Sequence, residues 1–172
     1  MITETSTKNE LLTAIEEVIS QMAGLMMPLG EQQVNSIPYE NSWTAGQLFN
    51  HVTLSINGMA KAMSKESEPA ERDPGEKIAG LKKAMLDFSV KMKSPDFIVP
   101  EDGPFEKQAT IEELQRSFTQ FSENTGKANL NDMVEGLPFG PVTKLEMLHF
   151  VLYHSQRHLH QMKNITNALE KG

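Results

Sequence analysis

The chain has 172 residues, 38% hydrophobic and 23% charged, which suits one globular domain over residues 1–172 with a sizeable apolar core. Its 23 acidic residues outweigh 16 basic ones to give a net charge of −7, which repels phosphate backbones and argues against nucleic acid as a partner. The absence of cysteine excludes disulfides, thiolate metal sites and a cysteine nucleophile, and no apolar run nears the roughly 20 residues that span a bilayer.

The N-terminal residues MITETSTKNELL are polar and carry no signal-peptide pattern, so a cytoplasmic protein is expected. From about Lys8 to Gln33, apolar residues recur every three to four positions (Leu11, Leu12, Ile15, Val18, Ile19, Met22, Leu25, Met26), predicting a first helix capped by Ser6 or Thr7. Pro28 marks a kink or early end. After the loop Ser36–Ser42, Thr44 and Gln47 form a capping box for a second helix through Leu48, His51, Val52, Ile56, Met59 and Met63. Residues 64–75 are a polar connection. A third helix is predicted over Glu76–Lys91, with Ile78, Leu81, Met85 and Phe88 on its apolar face and Lys82–Lys83 on its solvated one. The Pro-rich stretch SPDFIVPEDGPFEKQA is long for a connection, and such loops often border functional sites. Its Phe97, Ile98 and Val99 are expected to pack on the core or roof a pocket. Thr110 with Glu113 reads as the capping box of a fourth helix, carrying Ile111, Leu114, Phe118 and Phe121 and ending between Asn124 and Leu130. After the turn EGLPFGPVT, Thr143 with Glu146 caps a last helix to about Leu169. No β-hairpin signal and no internal repeat emerge. Five helical segments joined mostly by short connections predict an all-α helix bundle.

Five histidines are present, four of them in the last helix: His149, His154, His158 and His160, with His51 in the second. His154 and His158 are four residues apart and so share one helix face. The row Met147, Val151, His154, His158, Gln161, Ile165 is apolar at both ends, so it points inward. A buried imidazole with unsatisfied polar atoms costs on the order of 1–3 kcal/mol. The pair is therefore either two separately hydrogen-bonded core histidines or two ligands of one metal ion. His51 sits at the edge of the second helix's core stripe, where a third ligand could enter. Three neutral imidazoles would leave an open coordination position, as catalytic and ligand-binding sites do. His149 and His160 fall on other faces and are expected at the rim or in solvent. Ser155 occupies the place where a zinc protease's HExxH motif needs its glutamate, which argues against peptide hydrolysis. No acidic residue is placed as a general base. Gln47, Asn50 and Gln161 are candidates to orient a ligand or cofactor, or to serve as inter-helix hydrogen bonds. Trp43 reads as a core anchor, and Arg157 should point away from the ligands.

The segment Trp43-Thr44-Ala45-Gly46-Gln47-Leu48-Phe49-Asn50-His51 resembles the region around the first metal histidine of the DinB-like (DinB/YfiT-like metalloenzyme) superfamily. Phe139-Gly140-Pro141-Val142-Thr143, followed by His154-Ser155-Gln156-Arg157-His158-Leu159-His160-Gln161, resembles its last helix, with a Gly-Pro turn, HxxxH and a Gln three residues on. The resemblance implies a four-helix-bundle core with an additional helix or long loop. It also implies a divalent metal ion, nickel or zinc, held by His51, His154 and His158. Characterised relatives include transferases and isomerases that use low-molecular-weight thiols, so a small-molecule substrate and an external thiol cosubstrate are implied. Homodimers are frequent in the family. Three readings follow. The chain is a metal-dependent enzyme, such as a thiol-dependent transferase; a non-catalytic metal- or ligand-binding bundle; or an interaction module that has lost its metal.

Overall fold

The computed structural model describes residues 1–172 and contains six α-helices: α1 (Lys8–Met26), α2 (Glu31–Val34), α3 (Ala45–Ser64), α4 (Ile78–Leu86), α5 (Lys107–Lys127) and α6 (Lys144–Lys171). Helices α1, α6, α3 and α5 form a closed ring in which each touches the next, while α4 lies outside the ring against α6. This is a four-helix bundle with an extra helix carried on the long α3–α5 connection. The core runs through all four ring helices and includes Leu11, Ile15, Met22, Phe49, Ile56, Leu114, Phe121, Met147 and Ile165.

Three helix starts are fixed by local chemistry. Thr7, Thr44 and Thr143 each accept a backbone N–H three residues on, and Glu10, Gln47 and Glu146 each return the bond. Helix α5 starts earlier than the Thr110–Glu113 pattern predicts. The Glu106 carboxylate accepts from the Gln108 and Ala109 amides and takes over the cap. The Thr110 hydroxyl instead donates to the Glu106 carbonyl inside the helix.

The predicted first helix is two pieces. Pro28 offers no N–H, and Lys107 Nζ donates to the carbonyls of Met27 and Leu29 at 3.0 and 2.8 Å, which closes α1 at Met26. Helix α4 is shorter than predicted. Asp87 turns its carboxylate to the Ser89 amide, and Arg157 draws the carbonyls of Met85, Asp87 and Val90 away from helical partners. Phe88 consequently leaves the apolar face and is exposed.

A small antiparallel hairpin pairs β1 (Met133–Val134) with β2 (Val142–Thr143), where no hairpin was expected. Two-residue strands are too short to show alternation. Gly136 and Gly140, with φ of 80° and 86°, supply the left-handed backbone that the intervening turn requires. No helix is long and apolar enough to cross a membrane.

Candidate metal centre

The seam between α3 and α6 carries the histidines. His51 is one and a half turns into α3, and His154 and His158 lie on successive turns of α6. All three point their Nε2 atoms at one spot. The separations are 3.0 Å for His51–His158, 3.1 Å for His154–His158 and 3.4 Å for His51–His154. No carboxylate joins this group. His51 and His158 are buried and His154 is half-buried.

The protons of two rings are assigned by their partners. His51 Nδ1 donates to the Ile98 carbonyl at 2.8 Å, with the Ser94 hydroxyl 3.3 Å away. His158 Nδ1 donates to Gln161 Oε1 at 3.0 Å. A neutral imidazole with its hydrogen on Nδ1 has only a lone pair on Nε2. Two such lone pairs therefore face each other at 3.0 Å. Even if His154 donates from Nε2, it satisfies only one of them. A cation at the centre would pair with all three Nε2 atoms.

Burial works against a proton in that role. Burial depresses the His51 imidazole, although its bond to Ile98 opposes the shift. Burial, reinforced by His51 and Arg157, pushes His154 down to about 3. Burial and the neighbouring His154 and His51 hold His158 well below its ordinary value, against an opposing effect of Gln161. The point equidistant from the three Nε2 atoms lies about 1.8 Å from each, close to the bond length of about 2.0–2.1 Å between zinc and imidazole. The donor set, its geometry and its fixed tautomers thus fit one divalent ion.

The other candidate residues surround this centre at a remove. Gln47 caps α3 and donates to the Glu101 carbonyl at 3.4 Å, while Asn50 Oδ1 accepts from the Glu101 amide at 3.0 Å. Both fasten the α4–α5 connection onto α3. Gln161 alone of the three touches a clustered histidine. Arg157 points away from the cluster, to the carbonyls of the segment following α4.

His160 is exposed and stacks on Phe88 at 4.1 Å. His149 is not at the rim: it is 0% exposed. Its face of α6 is covered because α6 packs against α1 and α4 as well as α3, so a helix with one predicted inward stripe is enclosed on several sides. His149 Nδ1 pairs with the Tyr153 hydroxyl at 3.1 Å, and its Nε2 has no partner.

Of the two places expected for Phe97 and Val99, on the core or over a pocket, they do not take the first; they are 71% and 49% exposed. The 3-10 turn Asp96–Ile98 spends its carbonyl on His51, which directs its flanking side chains outward. That carbonyl escaped sequence reasoning because a backbone acceptor leaves no mark in the residue string. Trp43 packs against the core and also lays its ring 4.8 Å from that of His51. Phe150 stacks on His154 at 5.3 Å; its i, i−4 spacing from that residue was the available signal.

A family model for the DinB superfamily matches residues 14–162. No curated protein matches the chain. Two solved structures share its fold. TT2238, a four-helix bundle protein, aligns with a TM-score of 0.61 at 17% identity, over 92% of this chain and 99% of that one. YfiT from Bacillus subtilis, a probable metal-dependent hydrolase with an unusual four-helix bundle topology, aligns with a TM-score of 0.61 at 13% identity, over 97% of this chain and 89% of that one.

Proposed function

The chain belongs to the DinB superfamily, and from that membership and the histidine geometry we propose that it is a metal-dependent enzyme acting on a small molecule, with an external thiol as nucleophile. The carrying observation is the convergence of three Nε2 atoms within 3.4 Å of one another, two of them barred by their Nδ1 bonds from hydrogen-bonding each other. A divalent ion would be held by His51, His154 and His158, and would supply Lewis acidity to lower the pKa of a bound thiol. The chain's own residues hold and orient. Ile98 and Gln161 fix the two rings, as partners of metal-bound histidines commonly do.

Two features are compatible with an external thiol as nucleophile. The chain has no cysteine, and no carboxylate stands in the cluster to take a proton from water. The fold shared with YfiT, a probable metal-dependent hydrolase, supports a second reading in which water takes the thiol's place. Nickel and zinc are the proposed ions, since imidazole suits both.

Metal content of protein purified without a histidine tag tests the site. About one ion per chain is expected, and His51→Ala and His158→Ala should each carry less than about a tenth of that. Wild-type protein without metal under any loading condition would overturn the reading. Reactivity of small thiols toward an electrophile at pH 6, with and without the loaded protein, separates thiol from water. Rate enhancement without a thiol would favour hydrolysis.

A further inference from the structure

Three neighbouring side chains on one face of α3 hold the connection between α4 and α5 by its backbone. Gln47, Asn50 and His51 stand at positions i, i+3 and i+4 of that helix. Gln47 Nε2 donates to the Glu101 carbonyl at 3.4 Å, Asn50 Oδ1 accepts from the Glu101 amide at 3.0 Å, and His51 Nδ1 donates to the Ile98 carbonyl at 2.8 Å. Apolar packing adds little, since between Asp87 and Pro104 only Pro100 is buried. A segment held by a few polar bonds near the surface opens locally at low cost.

One of these bonds depends on the histidine centre. An imidazole that lends its Nε2 lone pair to an ion keeps its hydrogen on Nδ1, where the Ile98 carbonyl accepts it. Without an ion, a hydrogen on His51 Nε2 has an acceptor in His158 Nε2, 3.0 Å away, and relieves the two lone pairs that otherwise face each other there. Nδ1 then turns a lone pair toward the Ile98 carbonyl, which has no hydrogen to offer, and that bond is lost. The Ser94 hydroxyl, 3.3 Å from Nδ1, is placed to donate to it instead. The same ring thus has two sets of partners, and only one of them ties Ile98 to α3.

We propose that the histidine centre controls the order of the connection. Metal binding fixes the His51 hydrogen on Nδ1 and closes residues 94–101 onto α3; loss of the metal moves the hydrogen to Nε2 and releases them. This rests on the metal-site reading above, and it assigns no substrate contact to the segment. Coupling of this kind is reciprocal, so the bonds that hold the segment closed also tighten the metal.

The test uses untagged full-length protein, either chelator-treated or loaded with zinc. Nitrogen NMR shifts of isotope-labelled imidazoles read the tautomer directly. His51 should carry its hydrogen on Nε2 without metal and on Nδ1 with zinc. Amide hydrogen exchange over residues 94–101 should slow by about fivefold or more on loading, as one gained hydrogen bond implies. Residues 88–93, whose tie is the bond from Arg157 to the Val90 carbonyl, should change by less than about twofold. Asn50→Ala frees the Glu101 amide without touching a histidine, and should weaken zinc binding by about threefold or more. A hydrogen on His51 Nδ1 in both states overturns the proposal while leaving the metal site standing. So does exchange over 94–101 that does not slow, or that slows no more than over 88–93, and so does an unchanged zinc affinity in Asn50→Ala. Wild type that takes up neither zinc nor any other divalent ion overturns both readings.

Discussion

Gln161 decides which nitrogen of His158 is free. By accepting from Nδ1 it leaves the Nε2 lone pair toward the cluster. Gln161→Leu removes that acceptor and should weaken metal binding roughly 10–100-fold, read by competition with a chromophoric chelator, while the far-UV circular dichroism stays unchanged. A histidine outside the cluster also contributes to acid stability. Burial, with a smaller contribution from Lys82, pushes His149 down to about 4. In the unfolded chain the same imidazole titrates near 6.5. Below that pH the unfolded state binds the proton first, so stability is fully present above about pH 6.5 and is lost as the pH falls toward 4. His149→Leu removes this loss. Metal-free wild type should lose on the order of 2 kcal/mol more than the variant between pH 7 and 4.5 in urea unfolding. The clustered histidines titrate in both proteins and cancel in the difference.

At the scale of elements, four helices end on a cation delivered from elsewhere in the chain. Lys107 caps the carbonyls of Met27 and Leu29 beyond α1, and Lys144 caps Lys65 beyond α3. Arg157 caps those following α4, and Lys8 caps Gly126 and Ala128 at the end of α5. Each satisfies orphan carbonyls and complements the negative end of the helix dipole. Lys107→Met should therefore cost about 1 kcal/mol, a fall of about 2–4 °C in Tm by calorimetry. Arg157→Met should leave α6 intact but speed amide hydrogen exchange across residues 85–93, because those carbonyls lose their anchor. The capping boxes at Thr44 and Thr143 were legible because donor and acceptor lie within four residues. The cation caps were not: Lys107 and Met27 are 80 residues apart, and nothing local pairs them.

For the whole molecule, the histidine centre joins α3 to α6 across 103 and 107 positions of sequence. An ion bound only by the folded state stabilises it by about 2.7 kcal/mol at one hundred times its Kd. Zinc should thus raise the Tm of the chelator-treated wild type by several degrees, and His51→Ala should abolish the shift without lowering the metal-free Tm by more than a degree or two. The sequence by itself determined that the chain is helical, that the bundle has its histidine pair on an inward stripe of the last helix, and that a third imidazole stood on the second. Those features follow from the 3.6-residue period and the capping pairs, which need no knowledge of distant neighbours. Only the tertiary structure decided that the three Nε2 atoms meet, that Ile98 and Gln161 orient two of them, that His149 is enclosed, and that Phe97 and Val99 face outward. Each of these depends on which helix or loop packs against a given face, and packing between segments far apart in sequence is set by the bundle as a whole.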